Sequence, residues 1–396
     1  MRTMFCLTLT VVLSLIAMPQ GAAVDGRTIT IEAAEHVSLF VPIMIPLDQP
    51  PPEGRISIVH PATGNTYPAT FDDGVLTFVP ERLEAAIEHS FKVEVTENDT
   101  PMGVQLTKVD GDEAIEVRIR NEHFTTYNYS EEHRIPCLWP MYAENGVTIT
   151  RNWPLGEDEP VSSTDHRHHV SFWTAFGDVN GHDMWHGTPI VAQNVEYGSG
   201  DAYGWMRAKN QWMDGDGNPV VDETREYRFY NTPASGRLFD HTVTFTATYG
   251  DVTFGDDKEG MVAFRIRPEI QGNHAGVLTN TAGEQGEGNV YGTPMPWMDY
   301  SGPIEGVGTR GIALFSHPNN MRLPNWHVRD YGLVGANPFA TRNVGGMDED
   351  GSVTLAEGNS LTFQFRVFVH SGDVEEALVA DRYADYATPP EAAWSE

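Results

Sequence analysis

The feature that most constrains the fold of this chain is a succession of short segments in which apolar and polar residues alternate. Glycine, proline, aspartate and asparagine separate these segments, and the 396 residues include 38 Gly and 26 Pro. A period of two places the apolar side chains on one face of a strand, and such turn residues end strands. We therefore predict an all-β protein. Examples of the pattern are "RTITIEA", "GRISIVH", "HSFKVEVTE", "EAIEVRIRN", "FDHTVTFTATYG" and "SLTFQFRVFVH".

The strand segments fall into two groups, which predict two domains. Residues 24–108 hold short strands and end near "TENDTPMG", so we predict a small N-terminal β-sandwich as an accessory domain. Residues 109–396 hold longer strands and predict one large twisted sandwich. Near the C-terminus, "DVEEALVADRYADYA" predicts a helix, because Asp373 can serve as an N-cap with Glu376 three residues later.

The first 23 residues predict a secretory signal peptide. Arg2 precedes a short apolar run at residues 5–18, and the small residues at 21–23 form a cleavage site. We therefore expect cleavage near Ala23 and a periplasmic or extracellular mature protein. No later stretch approaches the ~20 apolar residues that a membrane span needs, so we expect no membrane span.

The net charge and the cysteine content limit which partners, disulfides and metal sites this chain can have. The formal net charge is -31, which excludes nucleic acid because phosphate binding needs clustered Lys and Arg. Removal of the signal peptide takes away Cys6 and leaves Cys137 alone. An intrachain disulfide and a thiolate metal site are thereby excluded. The sequence leaves the oligomeric state open.

Residues 164–187 contain five of the fifteen histidines of the chain. If "HRHHVSFW" is a strand, His166 and His168 share one face and His169 lies on the other. Two imidazoles at this spacing can converge on a metal ion or on a substrate. The alternative is structural, with the histidines bonded to buried carbonyl groups.

A second polar cluster lies in "SHPNNMRLPNWHVRDYGLVGANPF", and its Pro and Asn content predicts a long loop, a frequent location of functional residues. A third element is Glu259, at the start of a strand. We predict that these elements and the first histidines line one pocket and supply the catalytic groups. The predicted catalytic residues are His166, His168, Glu259, His317 and His327.

Several long motifs, in order, resemble the exported bacterial PmoA-like family. They are "RNWPL", "DHRHHVSFWTAFGDVNG", "GDVTFGDDKEG", "WMDYSG" and "IALFSHPNNMRLPNWHVRDYGLVGANPF", and the resemblance covers most of the chain from about residue 151 to residue 370. The departures are Arg167 and Val170, where the family usually has His-Pro-His-His followed by a basic residue; the three histidines are in place. The family name refers to a methane oxygenase subunit. The resemblance also implies a fold similar to the galactose-mutarotase-like supersandwiches, in which histidines and carboxylates lie over a sugar ring.

The resemblance therefore implies a saccharide as substrate or ligand. Sugar sites use aromatic rings as platforms and Arg, Asn and Asp side chains for hydroxyl groups, and an arginine can stabilise a developing oxyanion. The predicted substrate-binding residues are Arg151, His169, Trp173, Asn180, Trp297, Arg329 and Asp330.

Three hypotheses follow. The first is a carbohydrate-active enzyme, an epimerase, lyase or hydrolase, that uses His and Glu for acid–base chemistry and needs no cofactor. The second is a metal-dependent oxidase or oxygenase, with copper as the family name implies, bound through His166 and His168. The third is a glycan-binding protein without catalytic activity. Because arginines near the histidines would oppose a divalent metal, we predict metal-independent chemistry.

Overall fold

The computed structural model describes residues 24–32, 34–96, 103–157 and 161–395. The predicted signal peptide lies outside these residues. Nearly all regular structure is β, and each strand pairing in the described part is antiparallel, which confirms the predicted fold class. Among the described residues, no helix has the length and apolar composition needed to span a membrane.

The large unit is built from two eight-stranded sheets that pack face to face. The first sheet has the order β21-β22-β17-β11-β10-β9-β8-β7. Its strands are β7 (Val104–Lys108), β8 (Ala114–Ile119), β9 (Glu122–Asn128), β10 (Cys137–Met141), β11 (Phe172–Phe176), β17 (Gly260–Arg265), β21 (Asn325–Val328) and β22 (Leu333–Asn337).

The second sheet has the order β12-β13-β14-β15-β24-β20-β19-β18. Its strands are β12 (Ile190–Gly198), β13 (Tyr203–Met213), β14 (Pro219–Tyr230), β15 (Gly236–Thr246), β18 (Val277–Asn280), β19 (Trp297–Ile304), β20 (Gly308–Ser316) and β24 (Ser360–Ser371). A separate pair joins β16 (Val252–Phe254) to β23 (Val353–Leu355).

The main core lies between the inner faces of these two sheets. On β11, Phe172 packs against Phe239 of the second sheet at a ring distance of 5.5 Å, so the next residue, Trp173, lies on the outer face. The same alternation appears along β14, where buried and partly exposed residues follow one another. Each sheet therefore has an inner face in the core and an outer face available for other contacts.

The small unit is one seven-stranded sheet with the order β2-β5-β4-β3-β6-β1-β25. It curls around its own core, so that its two edge strands approach and Trp394 Nε1 donates to the Pro46 carbonyl over 2.8 Å. The strands are β1 (Thr28–Ile31), β2 (Ile43–Pro46), β3 (Arg55–Val59), β4 (Thr66–Asp72), β5 (Val75–Phe78), β6 (His89–Thr96) and β25 (Ala392–Trp394).

The boundary between the two units differs from the predicted division at residue 108. Strand β7 pairs with β8 in the large unit, and β25 returns from the C-terminus to pair with β1 in the small one. Sequence alternation cannot show these assignments, because it identifies a strand without identifying its neighbour.

Helices are few and short. They are α1 (Glu287–Val290) and α2 (Val379–Ala387), with 3-10 turns at Glu131–His133, Glu144–Gly146 and Pro268–Ile270. The predicted C-terminal helix starts later than expected, since Asp373 and Glu376 cap a turn before Leu378, and Leu378 has a left-handed backbone. Helix α2 holds the small unit in place, because Arg382 donates to the carbonyls of Val37 and Leu39.

Candidate active site

The outer face of the first sheet carries a row of cross-strand neighbours at one end. His327 on β21 lies opposite Gly335 on β22, Gly335 lies opposite Ala263 on β17, and Ala263 lies opposite Trp173 on β11. Cross-strand partners share a face, so the two smallest residues separate the imidazole from the indole. A Cβ at position 335 would lie 3.0 Å from the carbonyl oxygen of Gly260, which favours glycine there.

His327 forms a pair with Glu259, the residue before β17. The Nδ1 atom of His327 lies 3.7 Å from a carboxylate oxygen of Glu259, too far for a hydrogen bond. This nitrogen is buried and has no hydrogen-bond partner, whereas the Glu259 side chain is 14% exposed. Burial, with the nearby charges of Arg329 and Lys258, lowers the pKa of His327 to about 3. The imidazole is therefore neutral at physiological pH.

A second layer of contacts fixes the groups beside this pair. Arg329 forms an ion pair with Glu287 of α1 at 3.2 Å, and its guanidinium lies 4.5 Å from the centre of the Tyr291 ring. The other carboxylate oxygen of Glu287 accepts the backbone N–H of Asp330. Asp330 in turn accepts the backbone N–H of Glu287 through its side chain. The predicted ligand residues Arg329 and Asp330 thus lie beside the pair, with Asp330 occupied in holding α1.

Tyr331 connects the pair to the histidine cluster. Its ring stacks on His166 at 4.8 Å, and the Arg265 guanidinium lies 4.3 Å from its centre. Burial raises the pKa of Tyr331; the charge of Arg265 opposes this change and the charge of Glu259 adds to it. The phenol therefore keeps its proton at neutral pH and can donate a hydrogen bond near the Glu259 carboxylate.

The histidine cluster lies in a turn, so the strand considered for "HRHHVSFW" forms only at its last two residues, Phe172 and Trp173. The backbone N–H of His169 donates to the carbonyl of His166, and both His166 and Ser171 have positive φ, so β11 starts only at Phe172. The turn also changes the expected faces. His166 stacks on His169 at 4.9 Å, while His168 contacts His186 at 4.2 Å.

Two buried arginines hold this turn from below. Arg151 donates to the carbonyls of Ser163, Asp165, His166 and His169. It is completely buried, so it serves as an anchor for the loop, and the predicted contact with substrate is not available to it.

Arg265, at the end of β17, contacts His169 Nδ1 at 3.0 Å and Asp165 at 3.2 Å. Burial opposes ionisation of Asp165, but the hydrogen bond from Ser163 and the charges of Arg265 and His166 outweigh it and lower its pKa to about 2.

A cavity of about 470 Å³ adjoins the cluster on the side of His168 and His186, with Arg167 at its wall. Burial and the charges of His186 and His166 lower the pKa of His168 to about 3. Burial and the charge of His168 also lower the pKa of His169 well below its usual range. Neutral imidazoles therefore line the boundary between the cavity and the sheet.

One predicted catalytic residue lies elsewhere. His317 follows β20 of the second sheet, where its ring contacts Tyr386 of α2 at 4.9 Å and its backbone N–H donates to the Gln364 carbonyl. The structure brings Glu259, His327 and His166 together, with His168 next to His166 at a ring distance of 5.7 Å. The single pocket predicted for all five residues therefore needs correction, because His317 belongs to the other sheet.

Three predicted substrate-binding residues also need correction. Trp173 is fully buried and stacks on His169 at 5.3 Å, so it supports the cluster and offers no open ring face. Trp297 is buried in a different cluster, beside Phe315 and Tyr386. Asn180 lies in a turn and ties it to β16 through bonds with Thr253 and Asp251.

A metal site at His166 and His168 would need further donor side chains around them. Within the described part of the chain, no group of three or more His, Cys, Asp or Glu side chains is arranged to hold a metal ion. His166 and His168 therefore lack a third ligand in that part. Three protein ligands are typical of catalytic zinc sites, so the described residues do not form a zinc site of that kind.

Sequence reasoning missed Arg265, Tyr331 and Glu287. Tyr331 lies within a quoted motif, four positions after His327, so that motif could have pointed to it, whereas Arg265 lies far from the predicted histidines in the sequence. Glu287 lies in the Gly-rich stretch "GEQGEGNVYG", which carries no signal for a charged contact.

The chain is similar to one family model and to solved structures. A family model described as a family of unknown function, DUF6807, matches residues 114–384. No curated protein matches the chain. Among solved structures, the galactose 1-epimerase from Lactobacillus acidophilus NCFM is similar, with 9% identity, a TM-score of 0.35, and coverage of 69% of this chain and 100% of that chain. Neither match carries the PmoA-like name, which stays a prediction. Because the family model matches more than half of its length, the chain belongs to the family DUF6807.

Proposed function

We propose that this protein is a saccharide-transforming enzyme in which Glu259 is the base and His327 positions the reacting group. The observation that carries the proposal is the contact of 3.7 Å between the partly exposed Glu259 carboxylate and the buried, unpartnered Nδ1 of His327. Buried polar atoms in folded proteins nearly always have a partner. A sugar carries adjacent hydroxyl groups, so one can donate a hydrogen bond to Nδ1 of His327 while its neighbour donates to the Glu259 carboxylate.

The chemistry of the pair follows from the neutral imidazole. The Lys258 backbone favours the protonated form of the His327 ring only weakly against burial. A neutral imidazole has one N–H and one lone-pair nitrogen, and we assign the lone pair to the unpartnered Nδ1, which can then accept a hydrogen bond from the substrate. A pKa of about 3 makes His327 a poor proton donor at neutral pH. It therefore orients the substrate by accepting a hydrogen bond from one hydroxyl group, and the Glu259 carboxylate removes the proton of a neighbouring hydroxyl group or carbon.

The developing negative charge has two donors nearby. Arg329 is a fixed cation held by Glu287, and Tyr331 is a protonated phenol. Both are positioned before the reaction, so they can stabilise an oxyanion without reorganisation. This division of roles replaces the expectation that histidines titrating near neutrality transfer the protons.

The saccharide class is supported by the character of the site. It combines carboxylates, arginines and partly exposed flat rings, and a cavity of about 470 Å³ lies on the His168 side of the neighbouring histidine cluster. The sequence motifs implied the same ligand class, and the predicted signal peptide supports action outside the cytoplasm. Acid–base chemistry on a hydroxyl group, or on a carbon acidified by a neighbouring carbonyl, covers epimerase, lyase and some hydrolase reactions.

The test is a screen of reducing sugars, oligosaccharides and oxidised (keto) sugars in D₂O, read by NMR and by product mass. Proton abstraction from carbon adds one deuterium to recovered substrate, and anomeric exchange appears directly in the NMR spectrum. We expect Glu259→Gln to abolish turnover and His327→Asn to reduce it about 100-fold or more. His317→Ala is the matched control and should retain full turnover.

Two outcomes would contradict the proposal. If Glu259→Gln keeps wild-type turnover on an accepted sugar, the base is another residue. If sugars bind but neither deuterium incorporation nor product appears with any of them, the protein is a glycan-binding protein. Turnover that is lost on chelation and restored by copper would favour the oxygenase hypothesis.

A further inference from the structure

We propose a second ligand site, on the outer face of the second sheet, that binds a neutral oligosaccharide against Trp205. It lies on the opposite side of the sandwich from Glu259 and His327, since those residues belong to the outer face of the first sheet. The inference does not depend on the proposed function, because a surface site can hold a polymer whatever happens at the active site.

The site is a groove of about 510 Å³ between the two units. The turn from β4 to β5 of the small unit forms one wall with Asp72 and Asp73. Strands β13, β14, β15 and β24 form the floor, with Trp205, Arg228 and Gln364 among the lining side chains. The small unit is fixed over the sheet, since Arg55 pairs with Asp201 and the Thr70 hydroxyl accepts the backbone N–H of Ala202.

Trp205 can lie against the sheet because its neighbour on β12, Gly198, has no side chain. It lies opposite Gly198 on β12, and a Cβ at position 198 would be 2.6 Å from the indole Nε1 and 2.9 Å from Cε2. Any other residue there would push the ring away from the strand. The indole therefore rests over the backbone, partly exposed, and offers flat apolar area of the kind that stacks on the C–H face of a pyranose.

The polar groups of the floor are fixed in place by ion pairs. Arg207 pairs with Glu226 at 2.7 Å, and Asp240 accepts hydrogen bonds from Arg366 and from the Tyr230 hydroxyl, both at 2.6 Å. Groups that are already oriented lose little entropy when they bind hydroxyl groups. Polar groups preorganised beside an aromatic platform favour a polyhydroxylated ligand over an apolar one.

The charge of the lining selects among saccharides. Four carboxylates line the groove, from Asp72, Asp73, Glu226 and Asp240, whereas Arg207 and Arg228 supply two cations. An anionic saccharide would be repelled by the excess of carboxylates. The groove therefore suits neutral sugars.

The experiment uses the complete protein with four neutral hexasaccharides (cellohexaose, maltohexaose, mannohexaose and xylohexaose) and with hexagalacturonate. Calorimetry measures affinity, and hydroxyl-radical footprinting measures protection of the Trp205 ring. We expect at least one neutral hexasaccharide to bind and to protect Trp205. Trp205→Ala should weaken this binding by about tenfold or more, and Gln364→Ala should weaken it severalfold.

Two controls separate this site from the active site and from general effects. Tyr249→Ala removes an aromatic ring that is 45% exposed and outside the groove, and it should bind as the wild type does. Glu259→Gln should also keep the Trp205-dependent binding, even where turnover is lost.

The proposal is overturned if none of the neutral hexasaccharides binds, if hexagalacturonate binds more tightly, or if Trp205 is not protected. If Trp205→Ala does not fold, the Gln364→Ala variant decides the question. Equal affinity of this variant and the wild type, with Trp205 unprotected, would then overturn the proposal.

Discussion

At the scale of single residues, the site is built from imidazoles that stay neutral. His168 and His327 have pKa values lowered to about 3, and the pKa of His169 is lowered well below its usual range. In each case burial is the largest cause and neighbouring positive charge adds to it. Neutral imidazoles pack against aromatic rings, which agrees with the stacking of His169 on Trp173.

These depressed pKa values predict a loss of stability in acid. An unfolded histidine has a pKa of about 6.5, so between pH 6.5 and 3 the unfolded chain binds more protons than the folded one. The free energy of unfolding therefore falls as pH falls through this window. Each fully buried histidine contributes up to about 1.4 kcal/mol per pH unit. His327→Asn should flatten the profile measured by urea unfolding at pH 7, 6, 5 and 4, and an unchanged slope would contradict the prediction.

One substitution of Tyr331 can separate the effect of its ring stacking from the effect of its hydroxyl group. Tyr331→Phe keeps the ring between His166 and Arg265 and removes only the hydroxyl group. On a substrate found in the screen, we expect turnover to fall about 100-fold, the usual effect of losing one oxyanion donor. The melting temperature should stay near that of the wild type. A variant with unchanged turnover would remove Tyr331 from the mechanism.

At the scale of elements, the loop before β11 depends on one buried side chain. Arg151 holds four backbone carbonyls of residues 163–169, and no other residue type presents a planar fork of donors with this geometry. We expect Arg151→Ala to lower the free energy of unfolding on the order of 3 kcal/mol. Limited proteolysis should then cut within residues 161–168, a region that the wild type protects. Arg151→Lys is the matched control and should be cut at an intermediate rate.

Much of the fold, and part of the site, could be predicted from the sequence. The period-two pattern identified strands such as β14, β15 and β24 because each has one buried and one outer face. Of the predicted catalytic residues, Glu259 and His327 lie close together, and the roles assigned to them stay predictions. His317 lies apart from them, although it precedes His327 by only ten positions in the sequence. Residues 317–324 carry the chain from the second sheet to the first, and alternation alone does not show which sheet a strand joins.

The burial of Trp173 illustrates a second limit. Trp173 lies on the outer face of β11, because the preceding residue Phe172 points into the core. Whether an outer face is open depends on the loops that cover it, and here the histidine turn and Trp185 do so, with Trp185 at 5.1 Å from the Trp173 ring. Such cover comes from long-range packing that no local pattern records.

At the scale of the whole molecule, the last strand, β25, completes the sheet of the small unit. Strand β25 pairs with β1, and Trp394 contacts both Pro46 and the Arg27 guanidinium, the latter at 4.0 Å. We expect removal of residues 390–396 to raise hydrogen–deuterium exchange in β1 and to lower the first unfolding transition, with little change in β14 or β24. Trp394→Ala should give a smaller effect of the same kind. Equal exchange in β1 with and without these residues would contradict the prediction.

The same strand sets an order of events during synthesis. Domains generally fold as they leave the ribosome, the N-terminal one first. Here β1 emerges early, but its neighbour β25 follows the whole of the large sandwich along the chain. The small unit therefore cannot complete its sheet until translation of the large unit is finished, and until then β1 lacks its neighbour on one side. The part of this protein that is made first is the part that closes last.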